Sequence, residues 1–230
     1  MNWNAIPGIA CTVAFLLPVL VIIYNKFYTH RSLGALMLYY FLMALVTAVC
    51  QGLLVEDRQV KENFGVVASY LNIPLMLTSL MFFCPIKIKQ RTIHILTVIF
   101  ICYEIVITMI HGFTHAAGVC IIGLGLIVVL GYAFFLFVRQ VKFSIMHGKN
   151  QGRILMLAAV LFAYSCYLLL YCFSYILKTP YESDTILLYY LSSSISAIIM
   201  TVGLQLMRKR LKDLQSLKLT RKELAIFFGE

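Results

Sequence analysis

The run AGVCIIGLGLIVVLGYAFFLFVR, residues 117–139, carries no charge before its last position. Wound as an α-helix at about 1.5 Å per residue, it is long enough for a bilayer hydrocarbon core of about 30 Å, which needs roughly 20 residues. Its apolar residues are continuous rather than alternating, so they do not describe a strand with one lipid-facing side. A backbone crossing hydrocarbon must also satisfy its own hydrogen bonds, which a helix does within the segment. This stretch decides helix over strand, and lipid over water as the surrounding solvent.

The same test passes for residues 5–26, 33–54, 66–85, 92–112, 153–177 and 185–207. With 62% hydrophobic and 12% charged residues, the chain has too little polar surface to wrap a water-soluble globule. The predicted fold class is all-α: a polytopic membrane protein with a seven-transmembrane-helix bundle over residues 1–207 and a short basic amphipathic tail over 208–230. The first run lacks a basic leader and continues past Pro18 to Tyr24, so it reads as the first helix rather than a secretory signal.

Charge sets the expected orientation. Of the 19 lysines and arginines, all but Arg58, Lys61 and Lys178 fall in alternate gaps or in the tail, among them Lys26, Arg31, Lys87, Lys89, Arg91, Arg139, Lys142, Lys149 and Arg153. Glu56, Asp57, Glu62, Glu182 and Asp184 fall in the other gaps. Basic loops stay in the cytoplasm, so the amino terminus is expected outside and the carboxy terminus inside. The net charge of +10 then serves an anionic inner leaflet rather than nucleic acid, for which the tail offers no reading module.

Leu204, Met207, Leu211 and Leu214 extend an apolar seam from the last span into the tail. That seam suits a cytoplasmic protein partner or a homodimer. The seven cysteines show no CxxC spacing and read as packing residues, with Cys11, Cys50 and Cys120 near enough to one side to consider a disulfide.

Polar residues at depth are the candidate site. Glu104, in the fourth span, must face the bundle interior or carry a proton, because a carboxylate at the bilayer centre costs at least about 2.5 kcal/mol. Asn72 precedes Pro74 by two residues and is placed either to bond the carbonyl that the proline frees or to hold a ligand's polar group. Tyr40, Thr47 and Gln51 share one helical face, and Tyr164, Tyr167 and Tyr171 another; such aromatic rows with hydroxyl tips suit a small or lipid-like ligand. Gly118, Gly123, Gly125 and Gly131 make the fifth span a close-packing helix, and Ser192, Ser193, Ser194 and Ser196 are expected to return hydroxyls to their own helix.

His111 and His115 are four apart and form a candidate metal pair at the outer end of the fourth span. The pattern names no cofactor. The seventh span holds no lysine to carry retinal and no Asn-Pro-x-x-Tyr run, so the outline shared with opsins and hormone-type receptors stops at topology. The leading expectation is a receptor or sensor with an intrabundle ligand cavity that relays to a cytoplasmic partner. A solute or proton-coupled transporter using Glu104, and a lipid-modifying membrane enzyme using Glu104 or the histidine pair, are the alternatives; no motif marks the chain as an enzyme.

Overall fold

Seven α-helices account for nearly all of the residues described by the computed structural model, which are 5–55, 57–84, 87–147, 151–177 and 182–228. For Ala5, Arg58, residues 87–90, His115, His147, Glu182, Ser183 and residues 211–228, the backbone alone is described. Glu56, Lys149 and Lys178, used above for orientation, lie outside the described residues. The helices are α1 (Ala5–Tyr24), α2 (Arg31–Cys50), α3 (Arg58–Leu80), α4 (Lys87–His111), α5 (His115–His147), α6 (Gln151–Tyr171) and α7 (Glu182–Phe228). Short 3-10 turns follow α1 and α3, and a π turn, Cys172–Ile176, extends α6. No strand occurs among the described residues.

All seven helices contain a segment long and apolar enough to cross a membrane. This is the make-up of an integral multi-pass membrane protein. The spans agree with the apolar runs, but several helices outlast them. Asp57 caps α3 by accepting a 2.9 Å hydrogen bond from the Gln59 amide, so the helix begins in a polar turn that hydropathy does not count. Gly52, at φ +75°, ends α2: its amide bonds the Val49 carbonyl and the Leu53 amide bonds the Ala48 carbonyl, each at 3.0 Å. The longest helix, α7, runs 47 residues, of which only Asp184–Arg210 are apolar enough to span. Its remainder continues as helix into the segment expected to form the tail.

Helices α1, α2, α3, α5, α6 and α7 close a ring, each packed on the next and α7 on α1. Helix α4 packs in the groove between α3 and α5, outside that ring. Most of its large side chains therefore point away from the protein, as Ile99, Ile105, Met109 and Ile110 do. The tightest crossing is α6 on α7. A Cβ at Gly152 would stand 2.7 Å from the Gly203 carbonyl oxygen and 2.8 Å from the Met207 amide, so only hydrogen lets the two backbones meet. Ser196 donates to the Ala159 carbonyl at 2.9 Å across the same seam.

One expectation changes here. The serines of α7 divide: Ser192 and Ser194 bond carbonyls of their own helix, whereas Ser193 and Ser196 reach α6, because the close approach brings its acceptors nearer. The cysteines are all free, and Cys11, Cys50 and Cys120 form no disulfide. At the other end of the ring, the Arg153 guanidinium lies 4.9 Å over the Phe82 ring and that of Arg208 lies 5.0 Å over Tyr24, which fixes α6 and α7 to their neighbours where the basic residues gather.

The packing predicts unequal glycines. Gly152→Ala should lower unfolding stability in mixed micelles by about 1–3 kcal/mol through overpacking against main chain. Gly131→Ala, where a Cβ meets nothing within 4 Å, should stay within about 1 kcal/mol of the parent. Equal effects would show that α6 and α7 do not cross at Gly152.

Candidate functional site

The ring does not fill completely. Between α2, α3, α5, α6 and α7, towards the end that holds Ala5 and Gln51, lies a cavity of about 540 Å³. Its wall is mainly apolar, with Met43, Ile73, Ile122 and Leu126 on its sides, and carries the polar groups of Thr47, Ser69, Asn72, Tyr167, Tyr171, Ser174, Tyr175, Thr185, Tyr189 and Tyr190. Among the described residues, no Asp, Glu, Lys or Arg side chain lines it. A mostly apolar concavity of this size with a few convergent polar groups is the usual form of a small-molecule site.

Asn72 is at its centre. Its Oδ1 accepts from the Tyr164 hydroxyl at 3.0 Å, and its Nδ2 faces the Met43 sulfur at 3.6 Å. The expected use of Asn72 on the carbonyl freed by Pro74 is therefore not what the side chain does: it reaches across to α6 and α2. Both Pro18 and Pro74 stand inside helices that continue through them. A thioether is a weak acceptor, so the Asn72 amide retains donor capacity directed into the cavity.

The tyrosines build one connected wall. Ring centroids lie 5.7 Å apart for Tyr164 and Tyr167, 5.5 Å for Tyr167 and Tyr189, and 5.6 Å for Tyr189 and Tyr190. Such spacings suit offset and edge contacts between rings. Tyr164 is fully buried behind Asn72, Tyr167 shares a 2.8 Å bond with the Ser193 hydroxyl, and Gln51 donates from Nε2 to the Tyr190 hydroxyl at 2.6 Å. The hydroxyls of Tyr171 and Tyr189 have no hydrogen-bond partner among the described residues. Together with the Asn72 amide they are the polar capacity open to a ligand.

Asn72, Gln51, Tyr164, Tyr167 and Tyr171 are thus brought to one place, with Gln51 and Tyr164 bonding residues of the wall rather than lining it. Tyr40 is turned away: it is buried against Phe15, 6.0 Å between centroids, and Tyr39. Glu104 is not part of the cavity. It sits on α4, outside the ring, in a separate groove with Tyr70 and Thr108.

His111 is exposed at the end of α4, and Gly112 at φ +69° separates it from α5, on which His115 is the first residue. The His115 side chain lies outside the described residues, and no group of three His, Cys, Asp or Glu side chains suited to a metal gathers among those that are described. The cavity also draws on residues that sequence spacing did not single out: Ser69, Tyr189, Tyr190 and the π turn. Tyr189 and Tyr190 precede Ser193 and Ser194 by four residues each, a polar repeat on α7 that was readable without coordinates.

The Asn72–Tyr164 pair should behave as a coupled unit. In a double-mutant cycle of Tyr164→Phe and Asn72→Leu, unfolding in micelles should reveal a coupling of about 0.6–1.7 kcal/mol, the range for hydrogen bonds between membrane helices. Simple additivity would mean that the two groups do not bond.

Comparison with known proteins leaves the reading to this geometry: no family model, curated protein or solved structure matches the chain.

Proposed function

We propose that the protein is a seven-transmembrane receptor or sensor, amino terminus outside and carboxy terminus cytoplasmic, that binds a small uncharged amphipathic ligand in the ring cavity and relays occupancy along α7. The observation that carries this reading is the cavity itself: about 540 Å³, walled by tyrosines around Asn72, and bounded by the one helix that continues to Phe228.

The ligand class follows from the lining. Among the described residues no charged side chain is on the wall, so an ion entering would lose hydration with no counter-charge lining the space. An uncharged molecule with one or two hydrogen-bonding groups and an apolar body matches the Asn72 amide, the open tyrosine hydroxyls and the aliphatic sides. The orientation rests on the excess of Lys and Arg at the end opposite the cavity, which would place the cavity in the outer half of the membrane. The ligand then arrives from outside or from the outer leaflet, and the basic end meets anionic lipid and a cytoplasmic partner or second copy.

Relay requires that the ligand favour one arrangement of the helices over another. Tyr189 and Tyr190 on α7 and Tyr167 and Tyr171 on α6 touch the same space, so a ligand that wedges them apart acts on the α6–α7 seam directly. A proton-coupled carrier is the weaker reading, because Glu104 lies outside the solute-sized cavity and offers it no coupling group.

Gly65 supplies the test. It lines the cavity, and a Cβ built there meets nothing within 4 Å, so a larger side chain enters empty space rather than a neighbour. In a thermal-shift screen of neutral amphipathic compounds against the purified protein in nanodiscs, hits should stabilise the parent and lose at least about tenfold in affinity with Gly65→Leu. The unliganded variant should be no less stable than the parent, since Leu is the better helix former by about 0.5–1 kcal/mol. Compounds that bind parent and variant alike would remove the cavity from the function. A carboxy-terminal fluorescent-protein fusion that stays dark while a phosphatase fusion at the same point is active would overturn the orientation.

A further inference from the structure

The groove beside Glu104 shares no lining residue with the cavity, and its α4 side chains Ile101, Ile105 and Met109 are exposed. We infer that this α3–α4 seam is a second, lipid-facing site, in which Glu104 accepts a hydrogen bond from the hydroxyl of a neutral membrane amphiphile.

The groove measures about 350 Å³ and is lined by Tyr70, Ile101, Glu104, Ile105, Thr108 and Met109. Glu104 is only 6% exposed, and its Oε1 is buried without a hydrogen-bond partner among the described residues. The neighbouring hydroxyls cannot supply one. Thr108 spends its single hydroxyl proton on the Glu104 main-chain carbonyl at 2.6 Å. In its 2.8 Å contact with Tyr70, Thr108 must then be the acceptor, so the tyrosine proton is committed as well. Tyr70 is further held by stacking on Phe113, 5.1 Å between centroids. A donor for Oε1 therefore has to come from outside the protein.

What lies outside is the bilayer. Ile101, Ile105 and Met109 form the outer wall and are 40%, 51% and 82% exposed, on the helix that packs mainly against α3 and α5. A molecule reaching Glu104 by this route has to bring alkyl chains that match those side chains. Its polar end is small and uncharged. Among the described residues no basic side chain lines the groove to meet a phosphate, so a charged headgroup entering it would lose hydration without a counter-charge. Glu104 lies roughly two helical turns, about 10 Å, from the His111 end of α4, deeper than the interfacial layer of about 5–8 Å that holds phosphate headgroups. A hydroxyl carried without a charged headgroup, as in a diacylglycerol or a long-chain alcohol, can sink below the phosphate level and brings the proton. Neutral or ionised, the carboxyl keeps a lone pair on Oε1 to receive it.

A photoreactive diacylglycerol analogue with a click handle tests the site, using the full chain in phosphatidylcholine nanodiscs and mass spectrometry of labelled peptides. Label should concentrate on the α4 peptide containing Ile101–Met109. Glu104→Gln, which retains an acceptor at the same place, should keep labelling within about twofold, whereas Glu104→Leu should lower it about fivefold or more, the worth of one intramembrane hydrogen bond. Ile105→Trp fills the groove from the lipid side without touching the interior, and should lower labelling even if Glu104→Leu does not fold. A phosphatidic acid probe with the same chains should label α4 weakly and equally in every variant. The inference fails if Glu104→Leu and Ile105→Trp label like the parent, if Glu104→Gln falls as far as Glu104→Leu, which would indicate a cationic ligand, or if the label sits on the cavity peptides of α6 instead.

Discussion

Hydrocarbon gives apolar helices no reason to prefer one another over lipid, so close packing and buried polar pairs must hold this protein together. Both act most strongly between α6 and α7, where Gly152 and Gly203 let the backbones touch and Ser196 bonds the Ala159 carbonyl. Elsewhere the ring relies on single polar links: Gln51 to Tyr190 between α2 and α7, Tyr164 to Asn72 between α6 and α3, Gln140 to the Phe83 carbonyl between α5 and the turn after α3. Each is worth about 1 kcal/mol at most on average in a membrane, less than the loss from one misplaced core side chain. The cavity opens where these links replace tight contact, with bulky tyrosines propping helices apart that glycines bring together elsewhere.

This division explains what could be read without coordinates. Length and continuity of the apolar runs report only on whether a helix crosses hydrocarbon, and there residues 117–139 were sufficient. Helix ends were less legible, because the first turns of α3 and the far part of α7 are polar helix held by a cap and by propensity. The rotation of each helix was hardly legible at all. A soluble helix marks its inner face with an apolar stripe, whereas α5 and α6 are apolar nearly all round. Reading the polar residues at depth as one candidate site groups Asn72 with Tyr164, Tyr167 and Tyr171, which the structure does bring together. The same reading also groups Glu104 with them, since depth alone cannot say that α4 stands outside the ring and shelters its carboxyl in a seam. The π turn left no mark in hydropathy, and Gln51 meets Tyr190 only because the end of α2 and the start of α7 converge.

The π turn is the part of the cavity wall whose hydrogen bonding is least like its surroundings. A π turn carries one residue more than an α turn of the same rise, and such insertions concentrate at functional sites. Here it sets the direction of Ser174 and Tyr175, both on the wall, and holds Tyr175 at 5.2 Å from Tyr171. Passing the extra residue towards Tyr171 would turn these side chains around the axis of α6 while leaving the Gly152 crossing in place. A ligand that bonds Tyr171 in one register and not in the other has the differential affinity that a relay needs.

From that seam the mechanical path is short. Below the cavity, Ala197, Met200, Gly203, Leu204 and Met207 of α7 are buried, so the helix stays packed into the ring from the cavity to the basic end. Interiors packed this closely shift between discrete arrangements rather than bend continuously. A displacement of Tyr189 and Tyr190 would therefore reach Arg208 as rotation or sliding of a nearly rigid rod. Its stacking on Tyr24 is a contact exposed enough to give way, since the Tyr24 ring is 76% exposed. The same helix carries residues 211–228, so in the proposed relay a small movement of it would reach the helical tail.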